Sequence, residues 1–204
     1  MSILVTGGGG PTGTGFKKVF GESILCPGKK ELDITNVYSI NKYCKELQTT
    51  VDTVVLNASI EVVDVLEDWF TPDEMLKKMH IYEWNKSPFG LIYGNIFLIK
   101  KLHSLNKLKS IYYITTHKNG TFPMYRVIKH AGENIIQALT YSEEFKNTQY
   151  KIIKPLHMET QDQYDMLGVA FKKYIETPTN INHTSLQVEH NYVSGEVTLV
   201  PVYE

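Results

Sequence analysis

The sequence predicts an α/β protein: a doubly wound, mostly parallel sheet of about seven strands with helices on both faces, in one domain over residues 1–204. Three observations predict it. Short apolar runs alternate with segments of helical periodicity along the whole chain. A glycine cluster separates the first such run from the first helical segment. The composition, 42% hydrophobic and 21% charged, is that of an ordinary globular domain, and a chain of this length can bury a sizeable core.

The elements follow in order. Residues 2–6 form a short apolar run suited to a buried strand, and helical spacing resumes around 16–20. Residues 23–26 are a second strand candidate, ended by the turn signal Pro27 and Gly28. Residues 32–34 are a third, very short one. Asn36 is placed to cap the helix carrying Ile40, Tyr43 and Leu47. Thr53, Val54, Val55 and Leu56 read as a fully buried strand. Residues 60–108 are mostly helical by pattern, with a helix start at Pro72 and a break or bend at Pro88 and Gly90. Residues 111–114 are strand-like, 118–120 a turn, 125–145 helical, 151–153 strand, 165–175 helical and 195–202 a last strand. That strand lies close to the end of the chain, so no second domain is expected beyond the short region at residues 156–204.

Charge and cysteine content exclude several classes. The net charge is −1, with 21 basic and 22 acidic residues, which lacks the footprint of a general nucleic-acid binder. Arg126 is the single arginine, so recognition of phosphate falls to lysine and backbone N–H groups. Cys26 and Cys44 fit neither a disulfide framework nor a metal site and read as structural. No apolar run reaches the ~20 residues of a membrane helix, and the N-terminus enters strand-like sequence at once. No signal peptide, no membrane partner and a cytoplasmic location are expected.

The strongest motif is the run from Val5 to Gly15, in which Gly7, Gly10 and Gly13 are spaced three apart between a strand and a helix. Glycine allows a sharp turn and close approach of a pyrophosphate, while the helix N-terminus offers free N–H groups and a positive dipole end. The context favours a nucleotide site over a merely flexible loop. No Gly-Lys-Ser/Thr follows, so it is not a Walker A loop. Tyr125 and Lys129, four apart, share one face of a helix. A nearby ammonium lowers a phenol's pKa and makes it a usable acid or base. Tyrosine and lysine four apart also arise by chance, and three further pairs occur: Tyr38/Lys42, Tyr82/Lys86 and Tyr150/Lys154. Only the pair at 125 and 129 opens a long helix just after a strand, where the ligand crevice of a parallel sheet lies. Thr115 and Thr116 end that strand, and His117 after them reads as a solvated loop residue. Asn57 and Ala58 follow the strand at 53–56.

Taken together, these residues resemble the short-chain dehydrogenase/reductase superfamily of Rossmann-type proteins. The resemblance rests on the glycine turn, Asp33, Asn57-Ala58, the Thr115-Thr116 strand end, Tyr125/Lys129 and Pro155, and spans about residues 1–160. The glycine spacing and the stretch Glu31 to Thr35 look like the dTDP-4-dehydrorhamnose reductase branch. The resemblance implies that Gly7, Gly10, Thr12 and Gly13 line a cofactor pyrophosphate, that Asp33 and Ile34 lie by the adenine, and that Asn57 and Ala58 lie under a ribose. It implies that Thr116 holds a substrate carbonyl, that Tyr125 transfers a proton, and that Lys129 binds the nicotinamide ribose and tunes Tyr125. The expected activity is NAD(P)-dependent oxidoreduction of a small carbonyl or alcohol, with two long helices pairing in a homodimer. The competing reading is a dinucleotide-binding sensor without turnover: Tyr125 follows Thr116 by only about nine positions. NADP is expected over NAD, because the second strand runs into Lys29 and Lys30 with no carboxylate before Glu31, and lysines attract a 2′-phosphate.

Overall fold

A computed structural model describes residues 2–59, 88–106, 108–115, 123–155, 158, 160–177, 185–191 and 196–202. The strands are β1 (Ile3–Val5), β2 (Ile24–Leu25), β3 (Thr53–Leu56), β4 (Ser110–Ile114), β5 (Gln149–Lys154), β6 (Ser185–Asn191) and β7 (Glu196–Val202). The helices are α1 (Pro11–Phe20), α2 (Val37–Glu46), α3 (Pro88–Asn106), α4 (Pro123–Thr140) and α5 (Gln161–Glu176). All seven strands join one sheet in the order β2-β1-β3-β4-β5-β6-β7. The pairings are parallel except the last, β6 with β7, which is antiparallel.

Both faces of the sheet are covered, which is why β1, β3 and β4 read as continuous apolar runs rather than alternating ones. Leu4, Val54, Leu56, Ile111, Tyr113 and Ile152 face α2, α3 and α4, meeting Ile40, Leu98, Leu102 and Ile136. Ile3, Val5, Val55, Tyr112 and Ile114 face the other way, against Phe16 of α1 and Leu167 and Phe171 of α5. Each such apolar side chain contributes about 1.5–3 kcal/mol on burial. On this second face α1 and α5 cross closely. A Cβ on Gly15 would lie 2.5 Å from the Tyr164 carbonyl oxygen, and one on Gly168 would lie 3.0 Å from that of Gly15.

Local chemistry sets the helix ends. Pro11 opens α1, where its missing N–H would have had no partner. Gly21, at φ 57°, closes it and returns its N–H to the Lys17 carbonyl. The Asn36 side chain accepts from the Tyr38 and Ser39 amides, the cap expected for α2.

Three expectations change. Residues 32–34 are not a strand, because local turns take up their hydrogen-bonding groups. The Leu32 amide bonds the Gly28 carbonyl, the Asp33 amide the Ser39 hydroxyl, and the Asp33 carboxylate both the amide and the hydroxyl of Thr35. A different strand, β6, restores the total: it pairs with β5 on one side and with all seven residues of β7 on the other. Of the break or bend expected at Pro88 and Gly90, the Gly90 part changes, and the residues before Pro88 lie outside the described ones. Pro88 is the first residue of α3, the position that tolerates proline best, and Gly90 lies inside that helix. The helix start at Pro72 and the turn at 118–120 lie outside the described residues. Among the described residues no helix is long and apolar enough to cross a membrane.

Candidate functional site

The sheet order places β2 and β3 on opposite sides of β1. The direction of winding reverses there, and at such a switch point an open α/β sheet has its ligand crevice beyond the carboxyl ends of the strands, here β1 and β3. The glycine turn forms one wall. Gly7, at φ 76°, turns the chain out of β1, and the Gly10 amide bonds back to the Gly7 carbonyl at 3.1 Å. A Cβ on Gly7 would sit 2.8 Å from the Ala58 Cα, so the turn packs directly on the end of β3.

Thr6, which the sequence reading passed over, fastens these two strand ends. Its hydroxyl accepts from the Asn57 and Ala58 amides, both at 3.0 Å, and the Asn57 side chain donates to the Thr6 carbonyl at 3.0 Å. A threonine between a buried strand and a glycine run was the available signal, because such a position demands a polar partner. Asn57 and Ala58 therefore stand beside the turn.

Gly10 caps α1 with no side chain bonded to the first-turn amides. Among the described residues, the space a Cβ would occupy there meets only the Gly7 carbonyl, at 3.6 Å. Thr12 and Gly13 follow in that first turn, and both are buried. Gly13 lies against the backbone of the loop. A Cβ there would lie 2.5 Å from the Gly7 carbonyl oxygen and from the Gly8 Cα, so this glycine lets the helix press on the loop. Asp33 has one carboxylate oxygen engaged by Thr35, and Ile34 is buried in the core beneath α3.

Beyond β2, the Cys26 thiol reaches the Gly13 carbonyl at 3.5 Å, and the Pro27 carbonyl accepts from the Gly8 amide at 2.8 Å. Burial pushes the Cys26 thiol pKa up, Lys17 opposes this and Glu31 adds to it, so the thiol stays protonated. This agrees with a structural cysteine.

The other wall comes from β4 and α4. Thr115 continues the ladder through its amide to the Ile153 carbonyl, and its hydroxyl is buried without a hydrogen-bond partner among the described residues. Tyr125 lies on the first turn of α4, one turn before Lys129. Lys129 is only 2% exposed. Its ammonium donates to the Ile114 carbonyl at 3.1 Å and lies 5.5 Å from the centre of the Tyr113 ring. Thr116 and His117 lie outside the described residues.

The other tyrosine–lysine pairs separate by their surroundings. Tyr38 is 83% exposed on α2. Tyr150 and Lys154 lie on β5 rather than on a helix, and the Tyr150 hydroxyl donates to the Glu133 carbonyl at 3.1 Å. Tyr82 and Lys86 lie outside the described residues.

Strand order, glycine turn and two helix layers define a Rossmann-type α/β protein. Solved structures share this arrangement. A short-chain dehydrogenase/reductase from Vibrio parahaemolyticus superposes with a TM-score of 0.64 at 14% identity, covering 91% of this chain and 98% of that one. The closed form of serine dehydrogenase complexed with NADP+ gives 0.63 at 15% identity over 100% of both chains. A GDP-6-OMe-4-keto-L-xylo-heptose reductase from C. jejuni gives 0.52 at 13% identity, and the match spans 78% of this chain but 47% of that one. The fold is thus that of short-chain dehydrogenases/reductases as a whole, and the sugar-nucleotide branch is not singled out. No family model and no curated protein sequence matches the chain.

Proposed function

We propose that this chain binds NADP(H) across the glycine turn and interconverts a small carbonyl compound and its alcohol. The observation that carries the reading is Lys129, a buried ammonium held at the end of β4 on the same helix as Tyr125 and one turn from it. The residues present fit the cofactor. The α1 amides beyond Gly10 carry no side-chain cap, and the missing Cβ of Gly10 leaves room beside them for a pyrophosphate. Gly7, Gly10, Thr12 and Gly13 bind that pyrophosphate, Asp33 and Ile34 border the adenine, and Asn57 and Ala58 lie under a ribose. Lys29 and Lys30, both exposed after β2, attract the 2′-phosphate that distinguishes NADP from NAD.

When bound, the nicotinamide supplies or takes up the hydride. Thr116 orients the substrate oxygen. Tyr125 gives a proton to that oxygen in reduction and takes one in oxidation. Lys129 lowers the phenol's pKa by its charge and holds the nicotinamide ribose. Residues 156–204 border the substrate end. The exposed apolar side chains Tyr93 and Leu105 on α3, with Val127 and Ile135 on α4, support pairing of these helices in a homodimer. A cytoplasmic setting fits a dinucleotide-dependent reductase.

The test is NADPH oxidation against a panel of aldehydes, ketones and keto-sugars, beside a direct titration of NADP+ and NAD+. Turnover on any panel member that Tyr125→Phe abolishes supports the reading, and failure to bind either dinucleotide overturns it. A second reading, dinucleotide binding without turnover, draws on the spacing of about nine positions between Thr116 and Tyr125. Tight binding with no oxidation across the panel selects that second reading.

A further inference from the structure

The turn after β2 closes on itself through main chain and side chain. The Gly28 amide donates to the Glu31 carboxylate at 2.7 Å, while the Glu31 and Leu32 amides both donate to the Gly28 carbonyl, at 3.0 and 2.9 Å. Gly28 and Glu31 are therefore joined through main chain and side chain together. Lys29 and Lys30 are the two residues between them, and both are exposed. The same turn is tied to the glycine loop. The Gly8 amide bonds the Pro27 carbonyl at 2.8 Å, and a Cβ on Gly28 would lie 3.9 Å from the Gly9 nitrogen. The two ammonium groups are thereby attached to a turn that sits beside the tip of the glycine loop, on the β2 side of the crevice.

We infer that Glu31 is a positioning residue for selection of NADP: its carboxylate buckles the turn so that Lys29 and Lys30 stand ready at the 2′-phosphate. This rests on the dinucleotide reading of the crevice. The simpler expectation for an acid in this region is the reverse, since a carboxylate near the adenosine ribose favours NAD by bonding the ribose hydroxyls and repelling a phosphate. Here the Gly28 amide engages that carboxylate. Flexible lysines lose conformational freedom on meeting a phosphate, and a pre-formed turn reduces that loss.

The two roles predict opposite outcomes. Glu31→Ala removes both the buckle and the charge. Glu31→Gln keeps an oxygen that can accept from the Gly28 amide and removes only the charge. The experiment titrates NADP+ and NAD+ into the full chain and into Glu31→Ala, Glu31→Gln and the double variant Lys29→Ala/Lys30→Ala. The double variant is expected to lose about tenfold in NADP+ affinity, and Glu31→Ala about three- to fivefold, the scale of exposed charged contacts. Both should bind NAD+ within about twofold of the parent on that scale, and Glu31→Gln should bind NADP+ no more weakly than the parent. The inference is overturned if Glu31→Ala binds NADP+ as well as or better than the parent, if it weakens both dinucleotides alike, or if the double variant is unaffected. A parent chain that binds neither dinucleotide sinks the crevice reading and this inference with it. Binding of both without the expected Glu31→Ala split sinks this inference alone.

Discussion

The Lys129 ammonium donates a 3.1 Å hydrogen bond to the carbonyl of Ile114, the last residue of β4. That bond ties the first half of α4 to the strand end facing the crevice, and Tyr113 lies beneath the ammonium. A lysine held this way in a nearly dry site loses hydration, so its burial is not by itself a source of stability.

Lys129→Met is therefore expected to leave the melting temperature unchanged or raised while turnover and NADP(H) affinity fall. An apolar chain of similar volume avoids the desolvation penalty. Thermal melts beside NADPH oxidation would show it, and a large stability loss would instead mark Lys129 as a structural residue.

Tyr125→Phe should lower turnover by roughly 10²-fold or more with cofactor affinity nearly unchanged, on the scale of general acid–base catalysis. The other tyrosines are the controls. Tyr38→Phe should be neutral, since that ring is exposed. Tyr150→Phe should cost about 1 kcal/mol of stability through its lost hydrogen bond and leave turnover alone. If Tyr38→Phe or Tyr150→Phe impaired chemistry as much, the pair at 125 and 129 would be the wrong one.

Gly10→Ala and Gly13→Ala should separate binding from folding. At Gly10 the new Cβ meets, among the described residues, only the Gly7 carbonyl, at 3.6 Å, so the variant folds and loses NADP(H) affinity. At Gly13 the Cβ would come 2.5 Å from loop backbone, and the expected result is destabilisation of about 1–3 kcal/mol by overpacking. Denaturant melts and cofactor titrations of both variants check the division. Gly10→Ala with full affinity would place the pyrophosphate elsewhere.

Acid should weaken the α1–α5 contact. The Lys18 hydrogen bond, followed by that from Gln161, holds the Asp165 carboxyl below its ordinary value. Stability from a depressed carboxyl is complete above the unfolded pKa of about 3.9 and is lost as pH falls through the lower folded value. Asp165→Asn should thus melt below the parent near neutrality, with the gap closing below about pH 4. A gap independent of pH would exclude the ion pair as its source.

Much of this architecture was legible in the chain itself. The strands β1, β3 and β4 are short apolar runs, a pattern that a sheet covered on both faces requires whatever its neighbours. The glycine turn announces itself because few sequences leave a strand through so many residues without Cβ. Asn36 caps α2 by bonds to residues two and three positions on, so its role is written locally.

What the chain did not reveal depended on which partner each group found on folding. Residues 32–34 have strand-like composition but satisfy their polar groups in turns. The Ser185–Asn191 stretch is more polar, yet becomes a strand because β5 and β7 flank it. The Thr6 hydroxyl matters because residues 57 and 58 fold against it, and Gly13 because the Gly7 and Gly8 backbone lies beneath it. Lys129 could be paired with Tyr125 by spacing alone, but its bond to Ile114 comes from packing α4 on β4. Local pattern determined which segments could be strands, helices and turns, since those preferences arise from neighbouring residues. Tertiary packing decided which of them joined the sheet and where each polar group was directed, since a hydrogen bond or a close contact requires two partners and the second lay elsewhere in the chain.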